Sequence, residues 1–389
     1  RSYKNTFIRR KPNYTHMKRK IDYLQSIPQP QQRTTEWYEF RHKYLTASSI
    51  WKAFISPSTR NQLIYSKCCP LNVDKYKTVN IYSPLHWGQK YEDLSLKWYE
   101  HTFNTKVSDF GCIPHKEISF LAASPDGINT DPSSPRYGRM VEVKNIVNRD
   151  ITGIPKTEYW IQMQIQMEVC NLNECDFLEC RFVEYETYDD FLKDGSFNKS
   201  SDGKEKGIII MFSDESNYPK YMYPPWNCSE TVFNAWETDV MNKYSNFTWM
   251  KNIYWKLDEV SCILVIRNKY WFNYAKPILI DFWDTIQKEK LSGSFQHRAP
   301  VKRVKQIQVK QLDKPKSKKD EENTVITPVL TGCNIDTSSL CDIVFSDVSA
   351  DMKQDTQKLP NEDAEEKTPD IKETKKIIIN ISTEVIPKK

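Results

Sequence analysis

The sequence holds ten cysteines but no Cys-x-x-Cys pair, and no metal-ligand spacing recurs. That argues against an iron–sulfur cluster, which needs grouped thiolates. Cys68 and Cys69 are adjacent and poorly placed to bridge each other, and several others lie in apolar patterns, as buried thiols do. A reducing, intracellular compartment is therefore expected. No stretch reaches the roughly 18 apolar residues of a membrane span, and no secretory leader is visible, so no membrane contact is expected. Asn-x-Ser/Thr sites such as Asn246-Phe247-Thr248 then count as chance. The chain does not begin with Met, so its natural start is expected to lie upstream. There is no internal repeat and no regular βαβ alternation. Acid is missing from the first 21 residues, which carry Arg1, Lys4, Arg9, Arg10, Lys11, Lys18, Arg19 and Lys20. Such an arm suits a polyanion, although a solvated tail would look the same.

Periodicity divides the rest. Residues 1–33 read as the basic arm, ending in Pro28-Gln29-Pro30-Gln31-Gln32. Residues 34–298 read as one folded domain, and residues 299–389 as a charged, disordered tail poor in aromatics. Within that tail, Lys376–Ile381 is an apolar run that could add a short strand to a partner. Helices are expected over Thr35–Leu45, around Ser49–Phe54, over 84–100, Thr157–Cys170, Glu230–Tyr244 and Asn273–Lys290. The third carries Trp87, Tyr91, Leu94 and Trp98 on one face. Strands are expected at Glu117–Ala123, Arg139–Val147, Asp176–Glu184, Lys206–Phe212, Phe247–Leu257 and Ser261–Asn268. The class is α+β, or mixed α/β, with a central sheet flanked by helices.

The chemistry gathers in Ser124-Pro125-Asp126-Gly127 and the run Met140-Val141-Glu142-Val143-Lys144. Alternation on a strand puts Glu142 and Lys144 on one face, and Val141 and Val143 on the other. An acid and an amine on a half-buried strand cost desolvation unless they have partners or a use. Asp126, in a tight Asp-Gly turn, could face the same point. Two carboxylates with a backbone carbonyl make the hard oxygen pocket that Mg²⁺ prefers. Alone, Glu-x-Lys is more often a weak surface ion pair, and Asp-Gly a plain turn.

Asp…Glu-x-Lys matches the PD-(D/E)XK nuclease signature, and the blocks around it resemble the YqaJ-type viral recombinase family typified by lambda phage exonuclease. Those blocks are Trp37-Tyr38-Glu39-Phe40-Arg41 with Thr46-Ala47-Ser48, then Trp87-Gly88-Gln89-Lys90-Tyr91-Glu92, then the Asp126 and Glu142 segments, then Tyr159-Trp160-Ile161-Gln162-Met163-Gln164. The resemblance implies a restriction-endonuclease-like core and a Mg²⁺-dependent deoxyribonuclease, with Mn²⁺ as a substitute, acting 5′→3′ on double-stranded DNA ends. It implies Asp126, Glu142 and the Val143 carbonyl as metal ligands with Glu92 assisting, and Lys144 as the catalytic lysine. Arg41, Ser48, Ser124 and Gln162 would form a pocket for a terminal 5′-phosphate, with Gln162 also orienting Lys144. A strand-annealing partner and a ring-shaped homotrimer follow only by analogy. The residues alone leave a snorkelling Arg41, capping serines, a solvated Glu92 and a merely polar helix face for Gln162 and Gln166 open. Two features depart from the phage pattern: a longer Asp126–Glu142 loop, and Ser83 and His86 where a basic residue is expected. A structure-specific or restriction-like endonuclease, or a catalytically silent DNA-binding scaffold, would use the same core. Scarce glycine (10 residues) and abundant Lys, Asn, Ile and Tyr fit an AT-rich genome, such as that of a large DNA virus acting in host cytoplasm or a viral factory.

Overall fold

The computed structural model describes residues 14–30, 34–73, 80–215 and 217–300. From residue 301 on, the expected tail and its Lys376–Ile381 run lie outside the described residues. A seven-stranded sheet runs in the order β2 (Val107–Ser108), β5 (Gly127–Asn129), β6 (Met140–Asn145), β7 (Glu174–Glu184), β10 (Thr248–Ile266), β8 (Lys206–Ser213), β9 (Pro219–Met222). Only β6 and β7 pair in parallel; the other neighbours are antiparallel. A small sheet joins β1 (Leu45–Thr46), β4 (Leu121–Ala123) and β3 (Ile113–Pro114). The helices are α1 (Tyr14–Ser26), α2 (Thr35–His42), α3 (Ala47–Ile50), α4 (Lys52–Ile55), α5 (Pro57–Cys68), α6 (Pro84–Phe103), α7 (Thr157–Val169), α8 (Tyr188–Lys193), α9 (Glu230–Lys243) and α10 (Lys269–Ser292). This is the expected class, a central mixed sheet flanked by helices.

Two apolar cores lie on the two faces of β6. Val141 and Val143 join Tyr91, Leu94 and Tyr99 of α6 with Leu178 and Phe182 of β7. Met140 faces the other way, into a core with Met163, Ile165 and Met167 of α7 and Phe177 of β7. The alternation expected of the strand therefore holds, and it places Glu142 and Lys144 on the α7 side. Helix α6 starts at Ser83, whose side chain accepts the His86 N–H, with Pro84 at the first turn, and it ends at the left-handed Asn104. Ser83 is thus a helix cap. Nine of the thirteen residues of α7 are buried, so this helix is enclosed on all sides and has no solvated polar face.

Several boundaries differ from expectation. Residues 14–30, read as part of an arm, include helix α1, whose Ile21 and Leu24 are buried in the core. Gln29 also accepts the Cys112 N–H at 2.7 Å. Lys18 pairs with Asp22 and Lys20 Nζ donates to the Asn171 carbonyl at 2.7 Å, while the apolar residues dock. Helix α5 was not anticipated, although Ser56 and Thr59 form a capping box with Pro57 at its start. The two strands expected over 247–268 are one strand, β10, with register shifts at 249/251 and 257/259. Asp258 and Glu259 look like a break in sequence. They are tolerated because they pair with Lys204 and Arg181 at the sheet surface. The eight described cysteines are free thiols, as expected.

Gly127 is not a turn glycine. It opens β5, and a Cβ there would lie 2.1 Å from Val107 Cγ1 of the neighbouring strand. Gly127→Ala should therefore cost about 1–3 kcal/mol by overpacking. Gly88→Ala, in open space within α6, should gain up to about 1 kcal/mol from helix propensity. Chemical denaturation of both variants beside the parent checks the contrast.

Candidate active site

β4 ends at Ala123, and Ser124-Pro125 carry the chain to Asp126 just before β5. Pairing of β5 with β6 sets Gly127 opposite Val141. Asp126 thereby reaches the next strand, and its Oδ2 accepts the Val143 N–H at 2.7 Å. Glu142 is 0% exposed, beneath α7. Its Oε1 accepts Lys144 Nζ and Gln162 Nε2, the latter at 2.6 Å, and its Oε2 accepts Gln166 Nε2 at 2.7 Å. Glu142 and Lys144 thus share one face, and the acid of the 124–127 segment joins them through the β6 backbone.

The electrostatics show crowded negative charge. Burial raises the Asp126 pKa well above the carboxylate range, and Glu142 and Glu92 raise it further, against Lys144. Burial lowers the Lys144 pKa, but Glu142 and then Asp126 outweigh it, so its pKa lies above the ordinary lysine value. The neighbouring acids thus favour the ammonium form of Lys144. The Tyr159 ring supports it from 5.1 Å, and the Arg149 guanidinium lies 5.6 Å from the same ring. Glu142 and Glu92 thus both press negative charge on Asp126, a repulsion that a divalent cation would relieve. Among the described residues no three His, Cys, Asp or Glu side chains form a ready ligand group. Further oxygens would have to come from the Val143 carbonyl and from substrate. Such a hard-oxygen donor set fits Mg²⁺ rather than a closed structural site.

A second group sits beside it. The Arg41 guanidinium lies 4.5 Å over the Trp37 ring, one turn earlier on α2. Nη1 donates to Ser124 Oγ at 2.6 Å, and Nη2 to Ser48 Oγ at 3.3 Å. Ser48 is exposed, so the group opens to solvent. Lys67 on α5 holds the end of α2, its Nζ donating to the Tyr44, Arg41 and His42 carbonyls at 2.6, 3.2 and 3.3 Å. Lys67 carries no sequence signal of its own, because its role depends on α5 lying against the end of α2.

Residues 36–173 match the family model described as the YqaJ-like viral recombinase domain. This segment is a YqaJ-like viral recombinase domain. It spans both groups, from Arg41 to the glutamines of α7. An uncharacterized protein of Acanthamoeba polyphaga mimivirus is 30% identical over 319 residues, covering 72% of this chain and 56% of that protein. The chain thus spans little more than half the length of this relative. An alkaline exonuclease from Laribacter hongkongensis is 18% identical with a TM-score of 0.40, covering 68% of this chain and 98% of that one. A phage-related exonuclease from Haemophilus somnus 129PT is 12% identical with a TM-score of 0.29, over 67% and 96% of the two chains.

Within the YqaJ-like domain, Asp126, Glu142, Val143 and Lys144 come together, with Glu92 close enough to act on Asp126. Arg41, Ser48 and Ser124 also come together. Gln162, expected both in the phosphate pocket and near Lys144, sits with the acids, on Glu142 Oε1 alongside Lys144. Gln166 and Asn145 were not read as site residues. Asn145 accepts Ser95 Oγ at 2.7 Å and donates to the Gly88 carbonyl at 3.0 Å, tying the Lys144 strand to α6. The repeated Gln-x-Gln-x-Gln of 162–166, inside an otherwise apolar helix, was the signal available for Gln166.

Proposed function

We propose that this chain is a divalent-metal-dependent exonuclease that degrades double-stranded DNA 5′→3′ from its ends, in recombination or viral DNA processing. The observation that carries the reading is the Arg41–Ser48–Ser124 group held two residues from Asp126. A guanidinium fork with two hydroxyls suits a terminal phosphate, and the adjoining acids and ammonium suit phosphodiester hydrolysis. A divalent cation held by Asp126, Glu142 and the Val143 carbonyl, with Glu92 assisting, would supply positive charge to the scissile phosphate and acidify its attacking water. Lys144 contributes fixed positive charge at the reacting phosphate. Gln162 keeps Lys144 and Glu142 in register through their shared oxygen. Backbone recognition carries no sequence information, so digestion should not depend on sequence. The mimivirus relative agrees with an origin in a large DNA virus.

Linear duplex with 5′-phosphate ends should be digested, while covalently closed duplex stays intact. Cutting of the closed circle would favour an endonuclease on this core. Arg41→Ala should slow digestion of 5′-phosphorylated ends about 10- to 100-fold, the worth of charge-assisted hydrogen bonds. Its rate on 5′-hydroxyl ends should hardly change. An unaltered phosphate preference would remove Arg41 from the pocket.

A further inference from the structure

Gln166 is fully buried, yet its Oε1 has no hydrogen-bond partner. Its Nε2 donates to Glu142 Oε2 at 2.7 Å and to the Ser124 carbonyl at 3.2 Å. Turning the amide over would aim its oxygen at a carboxylate and a carbonyl, so the orientation is chemically forced. A side chain kept for packing would not leave a buried acceptor unsatisfied. Its helix neighbours Met163, Ile165 and Met167 show that an apolar residue suits these surroundings. The amide is there for its two donor contacts.

Those contacts join the two halves of the site. Ser124 takes Arg41 Nη1 on its hydroxyl and Gln166 on its carbonyl. Glu142 takes Lys144 and Gln162 on one oxygen and Gln166 on the other. Gln166 therefore sets the rotation of the Glu142 carboxylate relative to the residue that receives Arg41. We infer that Gln166 is a positioning residue that couples end recognition at Arg41–Ser124 to the placement of Glu142, so that a bound terminal phosphate favours cleavage. This deepens the exonuclease reading and rests on it.

The test uses the full chain with Mg²⁺ and duplexes bearing 5′-phosphate or 5′-hydroxyl ends. Gln166→Met keeps the volume and removes the donors. Gln166→Asn keeps the amide and shortens its reach. Both should lower kcat on 5′-phosphate ends by about tenfold or more, since small misplacements of reacting groups are costly. KM should move less than twofold, and the phosphate-to-hydroxyl rate ratio should fall toward one. A ratio equal to the parent's overturns the inference, whether or not the overall rate falls, because a merely structural role would slow both ends alike. If the Met variant does not fold, the ratio measured for Gln166→Asn decides. Lys144→Ala, run alongside, separates the two levels. Its loss of activity with unchanged Gln166 ratios sinks only the coupling, while full activity of Lys144→Ala sinks the nuclease reading and the coupling with it.

Discussion

Lys144→Ala should abolish end-dependent digestion, lowering the rate on 5′-phosphorylated linear duplex by about 10²–10⁴-fold. The expectation comes from the ammonium's setting. Its side chain is mostly buried and contacts Glu142, with Tyr159 on another side, and no freely moving lysine could replace it. Burial works against its charge, but Glu142 and Asp126 hold that charge in place. Lys144→Arg should restore little, because a planar fork cannot occupy a place shaped for a compact ammonium. The variant should stay folded, since Glu142 keeps the two glutamine donors. Steady digestion by Lys144→Ala, with a parent-like melting curve, would remove this lysine from the chemistry.

Asp126→Asn should differ from Lys144→Ala in stability and be comparable in rate. Burial and the neighbouring Glu142 and Glu92 raise the carboxyl's pKa in the folded chain. The folded state therefore binds this proton more tightly than the unfolded state does. The associated stability is present at low pH and is lost as pH rises through the folded pKa. An asparagine carries no such charge, so in metal-free buffer at neutral or alkaline pH the variant should melt a few degrees above the parent. Added Mg²⁺ should raise the parent's midpoint, by binding the folded state alone, and leave the variant's nearly unchanged. Digestion should drop about 10²-fold or more with the lost ligand. Thermal scans with and without Mg²⁺ at two pH values check all three expectations. A variant that melts below the parent without metal would show that Asp126 is a structural acceptor for Val143 and not a ligand held at a cost.

Much of this site was legible because its parts lie close in sequence. Alternation on a strand was enough to put Glu142 beside Lys144 and the valines in a core. The one-turn spacing of Trp37 and Arg41 was enough to stack them. What could not be read was which contacts close across long separations. The glutamines of α7 looked like a polar face because periodicity reports polarity but not enclosure. Only the packing of α7 against the sheet and α10 shows that Gln162 and Gln166 are buried beside Glu142. Gln164 likewise ties β10 to α10, donating to the Ile266 carbonyl and accepting the Asn268 N–H. Helix α1 was hidden by its lysines and arginine, which outnumber the two leucine-type residues that dock it. The single long β10 was hidden by two acids whose partners lie on β7 and just before β8.

Ser124 and Asp126 are separated by one proline. Even a fully extended chain spans only about 7 Å between such positions. Under the proposed reading, that stiff tripeptide works as a measuring gauge. The group that grips the terminus and the group that cuts cannot drift apart, so each cycle would remove a fragment of the same small size, set by backbone geometry and not by the base being removed.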